Sequence, residues 1–162
     1  MLTAIWKCDT CGGPVTAKTG VVEWIRFGET KSREARLVHH RAHSPRRDTR
    51  WACYADEAQE FARDEGCVAW SYLDDFLGDE GLTYALTLLP EFENRPSILK
   101  LIQRLHVKTF EEALPFLQSA VSAGVVEPYY PPGFYTQQTL SDVCKWATAN
   151  KQRLQTLNLP VD

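Results

Sequence analysis

The order of apolar and polar positions predicts a β-hairpin in the first third of the chain. Residues 20–28 (Gly-Val-Val-Glu-Trp-Ile-Arg-Phe-Gly) are β-branched and aromatic between two glycines, which is typical of a strand. A polar turn follows at 29–34, and residues 35–40 (Ala-Arg-Leu-Val-His-His) form a second predicted strand. The short connection favours antiparallel pairing of these two strands.

The pattern changes to a helical period in the second half. Apolar residues between 98 and 105 recur on one helical face, and a second apolar stripe runs from 140 to 154. Thr109 and Glu112 have the spacing of a capping box, so a helix is expected from there to Ala123, bent at Pro115. We therefore predict an α+β fold, with a β lobe and a short helix over residues 1–66 and a helical domain over 67–162.

Two pairs of metal-ligating side chains bracket the predicted hairpin. Cys8 and Cys11 precede it, His40 and His43 follow it, and the spacing is C-x2-C-x28-H-x2-H. Two thiolates and two imidazoles suit a tetrahedral zinc ion, and four protein ligands would close its shell. The sequence thus predicts a structural zinc in an N-terminal β-hairpin lobe, followed by a mainly helical C-terminal half.

Two neighbouring side chains leave alternatives open. Cys53 is a rival ligand that could replace either His40 or His43. His39 points to the opposite face of its strand from His40, so it would be free if His40 binds zinc. His39 is then the one weak candidate for a catalytic residue.

The Cys-x2-Cys-Gly sequence, the hairpin and the second ligand pair at a strand end resemble a treble-clef or zinc-ribbon module. This resemblance covers residues 3–50. The whole layout is also similar to uncharacterised bacterial and phage proteins that join an N-terminal zinc module to a helical half. The second resemblance implies an accessory protein of a bacterial or phage system and supplies no activity.

Composition narrows the protein class. The chain has 162 residues and a net charge of −3, divided between +5 in residues 1–50 and −8 in residues 51–162. No apolar run reaches the roughly 18 residues of a membrane span, so we expect no membrane partner. Five cysteines, two of them in a CxxC pair, favour metal binding in a reducing compartment over disulfides. We therefore expect a cytoplasmic protein.

Three functions are compatible with these features. The first is a protein-binding adaptor or accessory factor without enzyme activity, with a partner that the sequence does not identify. The second is nucleic-acid binding through a basic segment within residues 31–50. Its candidate contacts are Arg33, Arg36, Arg41, Arg46, Arg47 and Arg50. The third is a nuclease similar to the HNH type, with His39 as general base. The oligomeric state is not set by the sequence.

Overall fold

The computed structural model describes residues 4–28, 30–45, 52–54, 66–127, 133–151 and 154. The chain divides into two compact units, residues 1–106 and residues 107–162. Within the described residues, no helix is both long enough and apolar enough to cross a membrane. The fold contains both sheets and helices, which confirms the predicted α+β class.

The first unit is built on a three-stranded antiparallel sheet in the order β4-β3-β5. A separate two-stranded ladder, β1-β2, precedes it. The strands are β1 (Trp6–Lys7), β2 (Pro14–Val15), β3 (Gly20–Phe27), β4 (Lys31–His39) and β5 (Cys67–Tyr72). The predicted hairpin is confirmed, and its second strand begins at Lys31, earlier than expected, because charged residues of the predicted turn belong to β4.

The central strand β3 is buried on both faces. Val22 pairs with Leu37 of β4 and Trp24 follows on the same face, and all three side chains lie in the main apolar core. On the opposite face Glu23 is only 3% exposed and accepts a 2.6 Å hydrogen bond from Arg36, its register partner on β4. The apolar run in β3 therefore reflects a central strand and not a half-exposed one.

Two helices lie in the first unit, and the second packs against β4 while the first packs against the second. They are α1 (Gly78–Leu88) and α2 (Arg95–His106). Pro96 lies in the first turn of α2, where a missing amide proton costs nothing. Ile98 and Leu101 of its apolar stripe are buried in the core. The predicted amphipathic helix is confirmed.

The division between the units differs from the predicted one at residues 66 and 67. β5 pairs with β3 along its whole length, and α2 packs on β4, so both belong to the first unit. The first unit therefore extends to His106. Residues 55–65, where most of the predicted short helix falls, lie outside the described residues.

The second unit is helical, with α3 (Phe110–Ala113), α4 (Leu117–Ser122) and α5 (Gln137–Ala149). Pro115 lies in a 3-10 turn between α3 and α4, so the expected single helix is broken there. The predicted capping box does not form, because Thr109 adopts φ 68° and its side chain caps no amide. Thr136 instead caps α5, accepting a 3.1 Å hydrogen bond from the Thr139 amide.

Candidate metal centre

Four side chains from three separate segments of the first unit meet in one cluster. The ligand atoms of Cys8, Cys11, His39 and Cys53 all lie within 4.8 Å of one another. Cys8 and Cys53 are buried, and so is His39 at the end of β4. In a tetrahedral zinc site with bonds of about 2.3 Å, sulfur atoms lie roughly 3.8 Å apart. The cluster could therefore hold a metal ion after a small contraction.

The chain around Cys8 and Cys11 forms a tight turn between β1 and β2. The Gly12 amide donates to the Cys8 carbonyl, and the Cys8 amide donates to the Gly13 carbonyl, each at 2.9 Å. Gly12 has φ +71°, which a side chain would disfavour. A Cβ at position 13 would lie 3.3 Å from the Cys11 sulfur. Gly12 is thus favoured by its left-handed backbone, and Gly13 is favoured by the close approach of the backbone to the Cys11 thiol.

The ring of His39 is oriented by a hydrogen bond outside the cluster. Its Nε2 lies 3.0 Å from the Pro14 carbonyl oxygen, which can only accept, so Nε2 carries the proton. Its Nδ1 lies 3.5 Å from the Cys11 sulfur and presents a lone pair to the cluster. Such a carbonyl partner fixes the tautomer of a metal-binding histidine.

Cys53 is held in place by two contacts, one from the Cys8–Cys11 turn and one from Ser44. Thr10 donates from Oγ1 to the Cys53 carbonyl at 2.8 Å, and the Cys53 amide donates to Ser44 Oγ at 3.2 Å. Burial, opposed by the Ser44 hydroxyl and reinforced by the neighbouring thiols of Cys11 and Cys8, raises the pKa of the Cys53 thiol to about 12. A cation at the centre would favour the thiolates that this arrangement otherwise disfavours.

Asp9, inside the Cys8–Cys11 turn, connects the cluster to the sheet and to α2. Its amide donates to the Leu37 carbonyl at 2.8 Å, and its Oδ2 accepts from the Leu37 amide at 2.7 Å. Its Oδ1 accepts a 2.7 Å charge-assisted bond from Arg104, whose side chain is 4% exposed. Arg104 also donates to the Lys7 carbonyl. These contacts position the turn from two sides.

The structure corrects the histidine pair of the predicted ligand set. His40 and His43 are not part of the cluster; their rings lie 6.2 Å apart, and His40 faces Trp70 and Tyr72. The expected alternation along the strand holds, but it directs His39 toward the cysteines and His40 away from them. Leu37 shares the face of His39 and Val38 shares that of His40, and both are buried, so the apolar pattern of β4 does not distinguish the two histidines.

Two further expectations change with this correction. The rival ligand Cys53 belongs to the cluster, so it takes one of the two places predicted for histidines. His39, the weak candidate for a general base, lies among thiols and donates its Nε2 proton to a carbonyl. It is therefore not free to activate water.

Half of the arginines proposed to contact nucleic acid are described, and each of them meets another side chain. Arg33 lies over the Phe27 ring at 4.3 Å and near Glu34, and Arg36 bonds Glu23. Arg41 lies over the Tyr54 ring at 5.4 Å. Arg46, Arg47 and Arg50 lie outside the described residues. The ion pairs reduce the positive potential that Arg33 and Arg36 could offer to phosphates.

Comparison of the chain with models of protein families, with curated proteins and with solved structures finds no match to any of them. The cluster is therefore the feature from which a function can be inferred.

Proposed function

We propose that Cys8, Cys11, His39 and Cys53 hold one zinc ion in a structural role. The observation that carries this proposal is the convergence of their four ligand atoms within 4.8 Å. Three thiolates and one imidazole are a common donor set of structural zinc sites. Four protein ligands fill a tetrahedral shell, so they leave no position for substrate or activated water.

The structural role follows from where the ligands lie along the chain. Cys8 and Cys11 come from a turn, His39 from the end of β4, and Cys53 from a segment that follows. The β1-β2 ladder has only two residue pairs, which is too little to be stable alone. Metal binding would supply folding free energy where the apolar core is small.

We further propose that the protein acts by recognising another protein, as an adaptor or accessory factor of a bacterial or phage system. Phe134 supports this proposal, because its aromatic side chain is 51% exposed in the second unit. Aromatic side chains are enriched at protein interfaces. A relation to treble-clef or zinc-ribbon modules and a cytoplasmic location remain predictions. We do not retain the nuclease alternative, because its general base lies in the metal cluster.

Metal content of purified variants tests the zinc proposal. The parent chain should hold about one zinc ion per molecule, as a four-ligand site requires. His39→Ala and Cys53→Ser should lose it, whereas the controls His40→Ala and Cys67→Ser should keep it. Each control matches its variant in chemistry and lies outside the cluster. Full zinc content in His39→Ala, or its loss in His40→Ala, would contradict the ligand set.

Partner capture in the native host tests the recognition role. Cross-linking followed by mass spectrometry should recover the same protein with the parent repeatedly, and less of it with Phe134→Lys. Leu99→Lys, at another exposed apolar position, is the control and should recover as much as the parent. Recovery of nucleic acid instead, with an affinity that falls steeply with salt, would favour the nucleic-acid alternative.

A further inference from the structure

The two edges of the three-stranded sheet differ in how far other residues cover them. Along β4, the outer edge is covered by other parts of the first unit. The Ser32 carbonyl accepts from the Glu93 amide at 2.9 Å, Leu37 exchanges two bonds with Asp9, and the Ala35 amide donates to Ser97 Oγ at 3.3 Å. β4 also carries several charged residues, which oppose pairing with another strand.

Among the residues that the structure describes, none protects the edge formed by β5 in these ways. Within the described part of the chain, β3 is the only strand that pairs with β5. The six residues of β5, Cys-Val-Ala-Trp-Ser-Tyr, include no charged residue, no proline and no glycine. Natural proteins protect edge strands with such residues or with a covering element. An uncharged edge of this length is suited to accept a further strand.

Apolar side chains are exposed on one face of this edge. Every second residue of β5 lies on one face of the sheet, and this face carries Val68, Trp70 and Tyr72. Trp70 is 47% exposed and Tyr72 is 52% exposed. Their rings meet edge-on at 5.3 Å, and the ring of His40 lies within 6.0 Å of both. These contacts hold large apolar rings in place at the surface, at little further entropic cost on association.

We propose that β5 pairs antiparallel with β5 of a second copy, joining two sheets into one of six strands. The strand is complementary to itself: centred on Trp70, the pairing places Trp70 opposite its own copy and Tyr72 opposite Val68 of the second copy. Aromatic pairs and aromatic–β-branched pairs are among the favourable cross-strand contacts. With no charge in the strand, the two copies meet without repulsion. A two-fold axis closes the assembly at a dimer.

Sedimentation equilibrium of the zinc-loaded full chain tests this surface. The parent should shift from the 18.4 kDa monomer toward twice that mass between micromolar and millimolar concentrations. Trp70→Lys and Trp70→Glu should each weaken association by about tenfold or more, because like charges meet across the axis. An equimolar mixture of the two variants should recover dimers. Leu86→Lys, at an exposed position on α1, is the control and should dimerise like the parent.

Three results would overturn the proposal: a monomeric parent at every concentration, an unchanged dimer in Trp70→Lys, or no association in the mixture. A monomeric parent would leave the edge to an extended segment of another protein. Hydrogen exchange of the parent supplies a second measurement that needs no variant. Amides of residues 67–72 should gain protection as concentration rises; unchanged exchange rates in a dimeric sample would also overturn it. Zinc content should be the same in all variants, so this test is separate from that of the metal site.

Discussion

The contact between Asp9 and Arg104 should control both the stability of the first unit and its zinc affinity. We consider Asp9→Asn and Arg104→Met, which keep the approximate size of each side chain. Asp9→Asn leaves the buried guanidinium without its carboxylate, with the Lys7 carbonyl among its remaining partners. Arg104→Met leaves a carboxylate that is 31% exposed and still bonded to the Leu37 amide. The two variants therefore leave different charges uncompensated.

The magnitudes follow from burial. Removing the partner of a buried charge costs about 3–5 kcal/mol. The side chain of Arg104 is 4% exposed, so Asp9→Asn should approach that range. Water can reach Asp9, so Arg104→Met should cost less, about 1.5–3 kcal/mol for lost hydrogen bonds to a charged group. The double variant leaves neither charge uncompensated, and it should be more stable than the sum of the single effects predicts.

Urea unfolding of the zinc-loaded variants, with tryptophan fluorescence as the signal, measures these free energies. Trp6 is a suitable reporter, because its Nε1 donates to the Arg104 carbonyl at 3.1 Å. Competition with a chelator measures zinc affinity, which should fall by about 10–100-fold in Asp9→Asn, as for other residues that orient metal ligands. Single effects below about 0.5 kcal/mol, or strictly additive effects in the double variant, would refute this reasoning.

Three other predictions concern thiols, protons and backbone. With zinc bound, an alkylating reagent should label Cys67 first, because this thiol is exposed. Cys144 should react more slowly, because burial and nearby Glu112 raise its pKa. Removal of zinc with a chelator should make the three cluster thiols reactive as well, and mass spectrometry would count the labelled cysteines. Zinc affinity should fall as pH falls from 8 to 6, because zinc must displace the proton that Cys53, with a pKa raised to about 12, holds in this range; a pH-independent affinity would contradict this. Thr109→Gly should raise the stability of the second unit by about 0.5–1 kcal/mol, because Thr109 has φ 68° and caps no amide. Thr136→Ala should lower this stability by about 1 kcal/mol, because Thr136 caps α5. Thermal unfolding that shows the reverse order of stability would contradict both assignments.

Local patterns predicted the elements of this fold well where burial and propensity agree. β3 reads as a strand because it is β-branched and aromatic, and α2 reads as a helix because Ile98 and Leu101 recur at helical spacing. Patterns failed at Thr109, where the capping sequence is present but the backbone is left-handed. The unit boundary was misplaced because the pairing of β5 with β3 is a long-range contact that no local pattern encodes.

The metal cluster was predicted in kind but not in full detail. Cys8 and Cys11 follow from the CxxC spacing, and Cys53 was open as a rival ligand. The choice between His39 and His40 depended on which face of β4 meets the turn. Leu37 and Val38 are both apolar and both buried, so alternation alone did not decide the face. The Asp9–Arg104 contact joins residues that are distant in sequence, and it had no sequence signal.

The paired bonds between Asp9 and Leu37 have a consequence for solubility. They make the Cys8–Cys11 turn a cover for part of the β4 edge, so a metal ion that holds this turn in place would also shield the backbone groups of Leu37. If such an ion is withdrawn and the turn loosens, these groups become available to other chains, next to a strand rich in valine and aromatic residues. Metal starvation should then remove this protein from solution by aggregation before it is lost by simple unfolding.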